Sequence, residues 1–160
     1  MYVLFCQTPL LLFYKIILKR SKQHSFPPSL RACWIKLNAV FQKRLSPIGL
    51  TPDQYTALRW LNESKEDAIC QKDLAKLMFT DPNNISGLVK RMESTGMLRR
   101  KNSRYDKRRK LLEITHKGKS LLNLATPVAR KLENETLSKL NTKEKKQLIS
   151  SLRDICQILH

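Results

Sequence analysis

Between Asn83 and Arg91 the sequence NNISGLVKR carries six residues suited to reading a polar surface: Asn83, Asn84, Ser86, Gly87, Lys90 and Arg91. An asparagine amide can bond two atoms on an adenine edge. A serine hydroxyl serves as donor or acceptor, and Lys and Arg meet guanine or phosphate oxygens. Interleaved with them, Ile85, Leu88, Val89 and Met92 recur at the spacing of one helical face. A helix that buries those four turns the polar set outward. Asn83 and Asn84 then fall in its first turn, the part of a recognition helix that enters a major groove. A plain solvated helix face has the same composition, so this segment alone decides nothing.

The next chemistry-bearing run does more. From Arg99 to Lys110 eight of twelve residues are basic, and Asp106 is the single acid. Polar, charged Asn102–Arg109 lies between two short apolar-containing runs, Met97–Lys101 and Lys110–Ile114, the pattern of two strands around a turn. A basic hairpin tip beside a recognition helix is a wing. Its cations Arg104, Lys107, Arg108 and Arg109 suit the narrow, negative minor groove of A·T-rich duplex. Asp106, two residues before Arg108, can hold that guanidinium by a bidentate pair and aim it outward. A simple charged loop is the alternative.

The elements needed to position these residues are legible on both sides. Pro27–Pro28 marks Ser25–Ser29 as a linker. Leu30, Cys33, Trp34, Leu37, Phe41 and Leu45 give a helix over Leu30–Leu45, ended by Pro47 and Gly49. Thr51-Pro52 is a cap followed by proline at the first helical position, and Tyr55, Leu58 and Leu61 continue that helix. Ala68–Cys70 reads as a stub of strand. A short helix over Gln71–Met78 has a small Ala75 inside, as two closely crossing helices require. Thr80-Asp81-Pro82 opens the recognition helix, which runs to about Thr95. Gly96 follows it as a left-handed terminator. After the hairpin, Thr115 caps a long helix in which Pro127 predicts a kink. A last helix begins at Asn141-Thr142, with Thr142 and Lys145 where a capping box would want Thr and Glu, and Glu144 one residue early. Leu148, Ile149, Leu152, Ile155, Cys156 and Leu159 line one of its faces.

Charge supports a polyanionic partner. The 160 residues carry 31 Lys/Arg against 13 Asp/Glu, a formal charge of +18. The excess is local: residues 82–110 hold ten basic residues and two acids, whereas 53–81 hold four and six. Such a gradient implies that one region of the fold meets the partner, with nucleic acid the first candidate and an anionic membrane surface the second.

Asp106-Lys107-Arg108 through Leu111-Leu112-Glu113-Ile114-Thr115-His116-Lys117-Gly118 resembles the MarR-family wing signature D-x-R-x-x-x-L-x-L-T-x-x-G, with Ile114 in place of a leucine. Leu88–Arg100 is similar to that family's recognition helix running into the first wing strand, and Gly49–Tyr55 to the start of its second helix. Phe79 departs from the pattern, standing where the helix-turn-helix often has glycine. The resemblance covers residues 30–159. It implies a mainly α fold with a small β-wing: a winged helix-turn-helix flanked by N- and C-terminal dimerisation helices. Residues 26–160 then form one regulator domain, with 30–48 and 116–160 in the dimer and 51–115 as the DNA-binding lobe. Residues 1–25 are an extension outside the resemblance. It also implies a recognition role for Pro82–Glu93 and a minor-groove role for Arg108 held by Asp106.

From this follow the functional expectations. The chain is read as a cytoplasmic, homodimeric regulator that binds double-stranded DNA sequence-specifically, a repressor released by a small ligand or stress signal. The competing reading is a basic architectural protein without sequence selectivity. A crevice lined by Trp34, Phe41, Tyr55 and Trp60 would take a small effector, although core packing explains the same aromatics. No enzyme, cofactor or metal is expected. There is no phosphate-binding glycine loop or nucleophile–base set, and His24, His116 and His160 are dispersed. Cys6, Cys33, Cys70 and Cys156 lack C-x-x-C spacing and are expected as reduced, buried small side chains. Met1–Leu18 is apolar but interrupted by Gln7, Thr8, Pro9 and Lys15. It falls short of the roughly 20 clean residues of a spanning helix and lacks secretory-signal features. Three readings stand: an extra helix over Leu10–Lys19 packed on the domain or a partner chain, a start codon further downstream, or membrane attachment.

Overall fold

The structure is a computed structural model and describes residues 26–64, 69–102 and 110–159. Within them the order is α1 (Phe26–Leu45), a 3-10 turn (Ser46–Ile48), α2 (Pro52–Glu63), α3 (Gln71–Leu77), α4 (Pro82–Ser94), β1 (Leu98–Asn102), β2 (Lys110–Ile114), α5 (His116–Thr136) and α6 (Thr142–Ile158). This is the expected mainly helical architecture with a two-stranded wing. The expected helix over Leu10–Lys19 lies outside the described residues. The chain parts into two compact units between Ala39 and Val40.

The first unit contains the opening stretch of α1, which corrects the linker expected at Ser25–Ser29. Pro27 and Pro28 sit in the helix's first turn, where a backbone N–H has no intrahelical acceptor and the proline ring is harmless. Helical spacing suggested an apolar stripe here, yet Leu30 and Trp34 are exposed, and Leu45 is the one buried residue of α1.

The second unit holds the core. Leu45, Leu50, Leu58, Leu74, Ile85, Val89, Met92 and Leu98 are at most 2 % exposed, so α2, α3, α4 and β1 all send side chains into one cluster. Caps set the helix starts. Thr51 accepts the Gln54 N–H at 3.2 Å while the Gln54 side chain accepts the Thr51 N–H at 2.9 Å, a capping box. Asp81 accepts the Asn83 N–H at 2.7 Å, with Pro82 opening α4. At α6 the box is framed one residue earlier than read from sequence. Asn141, not Thr142, is the cap, and Glu144 returns to the Asn141 N–H at 2.7 Å. The Asn141 side-chain oxygen also accepts the Lys143 and Glu144 N–H groups, at 2.9 and 3.0 Å.

Two helical segments end in left-handed glycines. Gly49 (φ 78°) and Gly96 (φ 73°) take the conformation that glycine adopts without strain. After α4 the Gly96 N–H donates to Glu93 O at 2.9 Å and the Met97 N–H to Met92 O at 2.8 Å, a Schellman closure. The turn after α3 has the same bonding: Phe79 N–H to Lys76 O and Thr80 N–H to Ala75 O, each 3.1 Å. Its left-handed residue is Phe79, at φ 49°, where a Cβ costs about 1–2 kcal/mol.

The wing pairs antiparallel with Leu98 opposite Ile114, Arg99 opposite Glu113 and Asn102 opposite Lys110. β1 begins one residue later than expected because Met97 is already engaged. Its N–H closes α4, and its carbonyl accepts the Thr115 N–H at 3.1 Å. Ala68 of the stub predicted at Ala68–Cys70 lies outside the described residues; the rest is an isolated bridge, Cys70 with Leu111, reinforced by the Leu112 N–H donating to Ile69 O at 2.8 Å.

Cysteine burial is corrected. Cys33 and Cys156 are exposed and Cys70 is half-buried. Cys156 is uncovered because it belongs to α6, which has no buried residue. Cys6 lies outside the described residues.

Thr115 caps α5 by accepting the Gly118 N–H at 3.1 Å. A Cβ added at Gly118 would stand 2.1 Å from Met97 O and 2.9 Å from the Ile114 side chain. A backbone carbonyl cannot swing aside as a side chain does. Gly118→Ala is therefore expected to destabilise the fold by at least the roughly 1–3 kcal/mol typical of overpacking, measured by thermal or urea unfolding. An alanine variant as stable as wild type would contradict this packing.

Candidate nucleic-acid interface

α3 and α4 pack against each other, with Leu74 and Ala75 buried between the helices and the core. Ala75 is the small residue that the close crossing needs. α4 buries Ile85, Leu88, Val89 and Met92, the four residues expected inside. Asn83, Asn84, Ser86, Lys90 and Arg91 are all exposed, and Gly87 is half-buried. Asn83, Gly87 and Lys90 follow one another at steps of four and three residues, while Asn84, Gly87 and Arg91 follow at three and four, so they form one stripe along the outer surface. Gly87 sits mid-helix, where glycine costs about 1 kcal/mol relative to alanine. An added Cβ would meet only the Arg91 guanidinium, at 3.3 Å, so packing inside the chain does not demand the glycine.

The base of the wing abuts this helix. Arg100 on β1 donates to the Glu93 carboxylate near the end of α4 at 2.8 Å. Across the hairpin Arg99 Nε donates to Glu113 Oε2 at 2.8 Å, and the Lys110 ammonium bonds the Asn102 side-chain oxygen. Three basic groups of the sequence run are thus held by neighbours on the wing or on α4. Sequence reading missed both ion pairs. The Arg99–Glu113 pair was within reach, since placing the two strands in register sets those residues opposite. The Glu93–Arg100 pair depends on how the hairpin leans on α4 and leaves no local signal. Arg104, Asp106, Lys107, Arg108 and Arg109, the expected wing-tip contacts, lie outside the described residues.

The aromatic set is partly assembled. Phe41 and Tyr55 meet edge to face, with centroids 5.3 Å apart and planes at 83°. Trp60 packs half-buried against the same core. Trp34 belongs to the first unit and is 62 % exposed. Among the described residues no group of three or more His, Cys, Asp or Glu side chains could hold a metal ion. No helix among them is long and apolar enough to cross a membrane.

A buried-inside, polar-outside α4, a helix packed across it and a hairpin tied to its end form a winged helix-turn-helix. The MarR family model matches residues 48–109, from the turn before α2 to the wing. Over that segment the chain is similar to the MarR family. It is 29 % identical over 125 residues to the organic hydroperoxide resistance transcriptional regulator of Bacillus subtilis, covering 78 % of this chain and 82 % of that protein. The MepR–DNA complex of S. aureus superposes with a TM-score of 0.80 at 21 % identity, covering 88 % of this chain and all of that one. The transcriptional repressor CouR bound to a 23-mer DNA duplex matches with a TM-score of 0.72 at 25 % identity, over 80 % of this chain and 89 % of that one. CouR from Rhodococcus jostii has also been solved with p-coumaroyl-CoA.

The hydrogen bond from Arg99, and to a lesser degree its charge, hold the Glu113 carboxyl below its usual range. A carboxyl lowered in the folded state stabilises above its unfolded range, and that contribution is lost as pH falls through the folded value. Glu113→Gln is therefore expected to melt slightly below wild type at neutral pH and to converge with it in acid. Melting curves across pH measure this. A gap that persists in strong acid would show that the charge is not its cause.

Proposed function

We propose that this chain is a homodimeric, sequence-specific double-stranded DNA-binding transcription regulator of the MarR family, a repressor released by a small ligand or stress signal. The observation that carries the reading is the outer stripe of α4. Two asparagines and a serine occupy its first turns and Lys90 and Arg91 its later ones, all exposed over a fully apolar inner face. Amides and hydroxyls at the leading end of a groove-entering helix serve base edges, and cations further back serve phosphate. Arg108 held by Asp106 is assigned the minor-groove contact that the wing signature implies. The repressor and ligand elements are supported by the repressor CouR, solved both on duplex DNA and with an acyl-CoA.

Dimerisation is inferred from apolar surface that this chain leaves open. Leu148, Ile149, Leu152, Ile158 and Leu159 on and just after α6, and Leu30, Trp34 and Ile35 on α1, are all more than a third exposed. A second copy related by a two-fold axis would cover the same faces on both subunits. Light scattering at micromolar concentration is expected to give twice 18.7 kDa. A stable monomer would remove the dimer from the proposal.

Selection of bound sequences from random duplex, followed by anisotropy on selected and scrambled DNA at several salt concentrations, tests the main reading. Phosphate neutralisation makes log K fall by about 0.9 per neutralised phosphate for each decade of salt, whereas base-edge bonds add a term that salt scarcely moves. Asn84→Ala with Ser86→Ala is expected to collapse the preference for the selected site and leave the salt slope nearly unchanged. Lys90→Ala is expected to weaken binding to both DNAs and to flatten the slope by about one unit for each phosphate left without its cation. Equal losses on both DNAs for the Asn84/Ser86 variant would favour an architectural, non-selective protein.

A further inference from the structure

Among the described residues three helical segments end on left-handed residues, and two of these are Gly49 and Gly96. The third is Phe79, and its side chain stands out in solvent, the residue being 81 % exposed. The backbone bonds that close α3 at Phe79 match those that close α4 at Gly96, so the turn itself asks only for glycine. Phenylalanine brings strain at φ 49° and leaves an aromatic surface in water, and neither is offset by packing within the chain. A residue that is unfavourable on both counts where a neutral choice exists points to a contact outside the chain.

Its position says which contact. Phe79 occupies the turn joining α3 to α4, two residues before Asp81, the cap of α4. The same end of α4 presents Asn83 and Asn84, the residues proposed to meet base edges. A duplex met by the first turn of α4 would pass close to this turn, and Phe79 is its exposed apolar residue. Duplex DNA offers one large apolar group on its major-groove edge, the thymine C5-methyl, and aromatic side chains pack on it.

We infer that Phe79 is a DNA-contacting residue whose ring packs on a thymine methyl at the edge of the groove entered by α4, adding sequence preference to that of the asparagines. This rests on the proposed function. Such a role accounts for the left-handed phenylalanine: the tight turn fixes the backbone so that the ring is delivered already oriented, and no loop has to be ordered on binding.

Two substitutions separate ring from strain. Phe79→Gly removes both and is expected to raise the melting temperature by about 2–4 °C. Phe79→Ala removes the ring and keeps a Cβ in the left-handed turn, so no such rise is expected. Both are expected to bind the selected duplex about 5- to 20-fold more weakly, the scale of one lost base-pair preference. Replacing thymines of the selected site one at a time by uracil, which lacks the methyl, is expected to reveal one position per half-site at which wild type loses a similar factor and Phe79→Gly loses nothing. Wild-type affinity in both variants would overturn the inference, because a merely structural Phe79 predicts a glycine variant that is more stable and binds at least as well. A loss in both variants that no uracil reproduces would overturn the thymine assignment. Failure of the underlying reading looks different: wild type itself would then show no preference between selected and scrambled duplex.

Discussion

The peptide at Met97 is the junction on which the DNA-facing geometry depends. Its N–H closes the end of α4 and its carbonyl receives the Thr115 N–H where β2 passes into α5. Thr115 also donates its hydroxyl to Gly96 O at 2.7 Å, and Lys117 reaches back to Thr95 O at 2.8 Å. Gly118 then lets α5 lie against the Met97 carbonyl at a distance no Cβ could share. One short stretch of backbone therefore fixes where the recognition helix stops, where the wing starts and where the helix behind them begins. Loosening it would let helix and hairpin drift apart, and on the proposed reading both must meet one rigid duplex together. The Thr and Gly of the wing signature are explained by this junction without reference to DNA.

The same economy shows in the charges. The ten basic residues of 82–110 look uniform in sequence, but the fold divides the described ones by task. Arg99 and Arg100 are held by carboxylates on β2 and α4, and both pairs lie at the base of the wing. The Arg99–Glu113 pair ties the two strands together and the Arg100–Glu93 pair orients the hairpin on α4, and being partly exposed they add little stability. Lys90 and Arg91 stand on the outer face of α4, beside the polar side chains that could read bases. Net charge alone would have assigned all these residues to the same polyanion. Geometry reserves some for building the platform.

What could be read in advance follows from how local each signal is. The inner face of α4, the caps at Thr51 and Thr115, and the left-handed Gly96 are set by residues within one or two turns, and each was legible. The cap of α6 was misframed because Asn141 and Thr142 both make good caps, and only Glu144, in reach of Asn141, decides between them. Pro27–Pro28 read as a linker because prolines stop a helix they follow but not one they begin. Burial of the apolar positions of α1 and α6 was not legible at all. Periodicity reports that a face is apolar, not that the same chain covers it. The strain at Phe79 was half visible: the sequence showed a phenylalanine in the place of a glycine, while the positive φ and the exposed ring needed coordinates.

On the proposed reading, the uncovered faces and the outer stripe of α4 are two sides of one requirement. A single recognition helix reaches only a few base edges, and even with good hydrogen bonds that is too little to select one site from a genome. Two helices on a two-fold axis double that reach and demand a fixed separation, about one helical turn of duplex. The surface that sets such a separation must be extensive and apolar, and must lie away from the DNA-facing lobe. In this chain exposed leucines and isoleucines stand on α1 and α6, at the two ends of the described sequence. The helix-turn-helix and the described strands of the wing keep their large apolar residues from full exposure, apart from Phe79. That single exception sits at the edge of the recognition helix, where an apolar group would meet DNA instead of a second subunit.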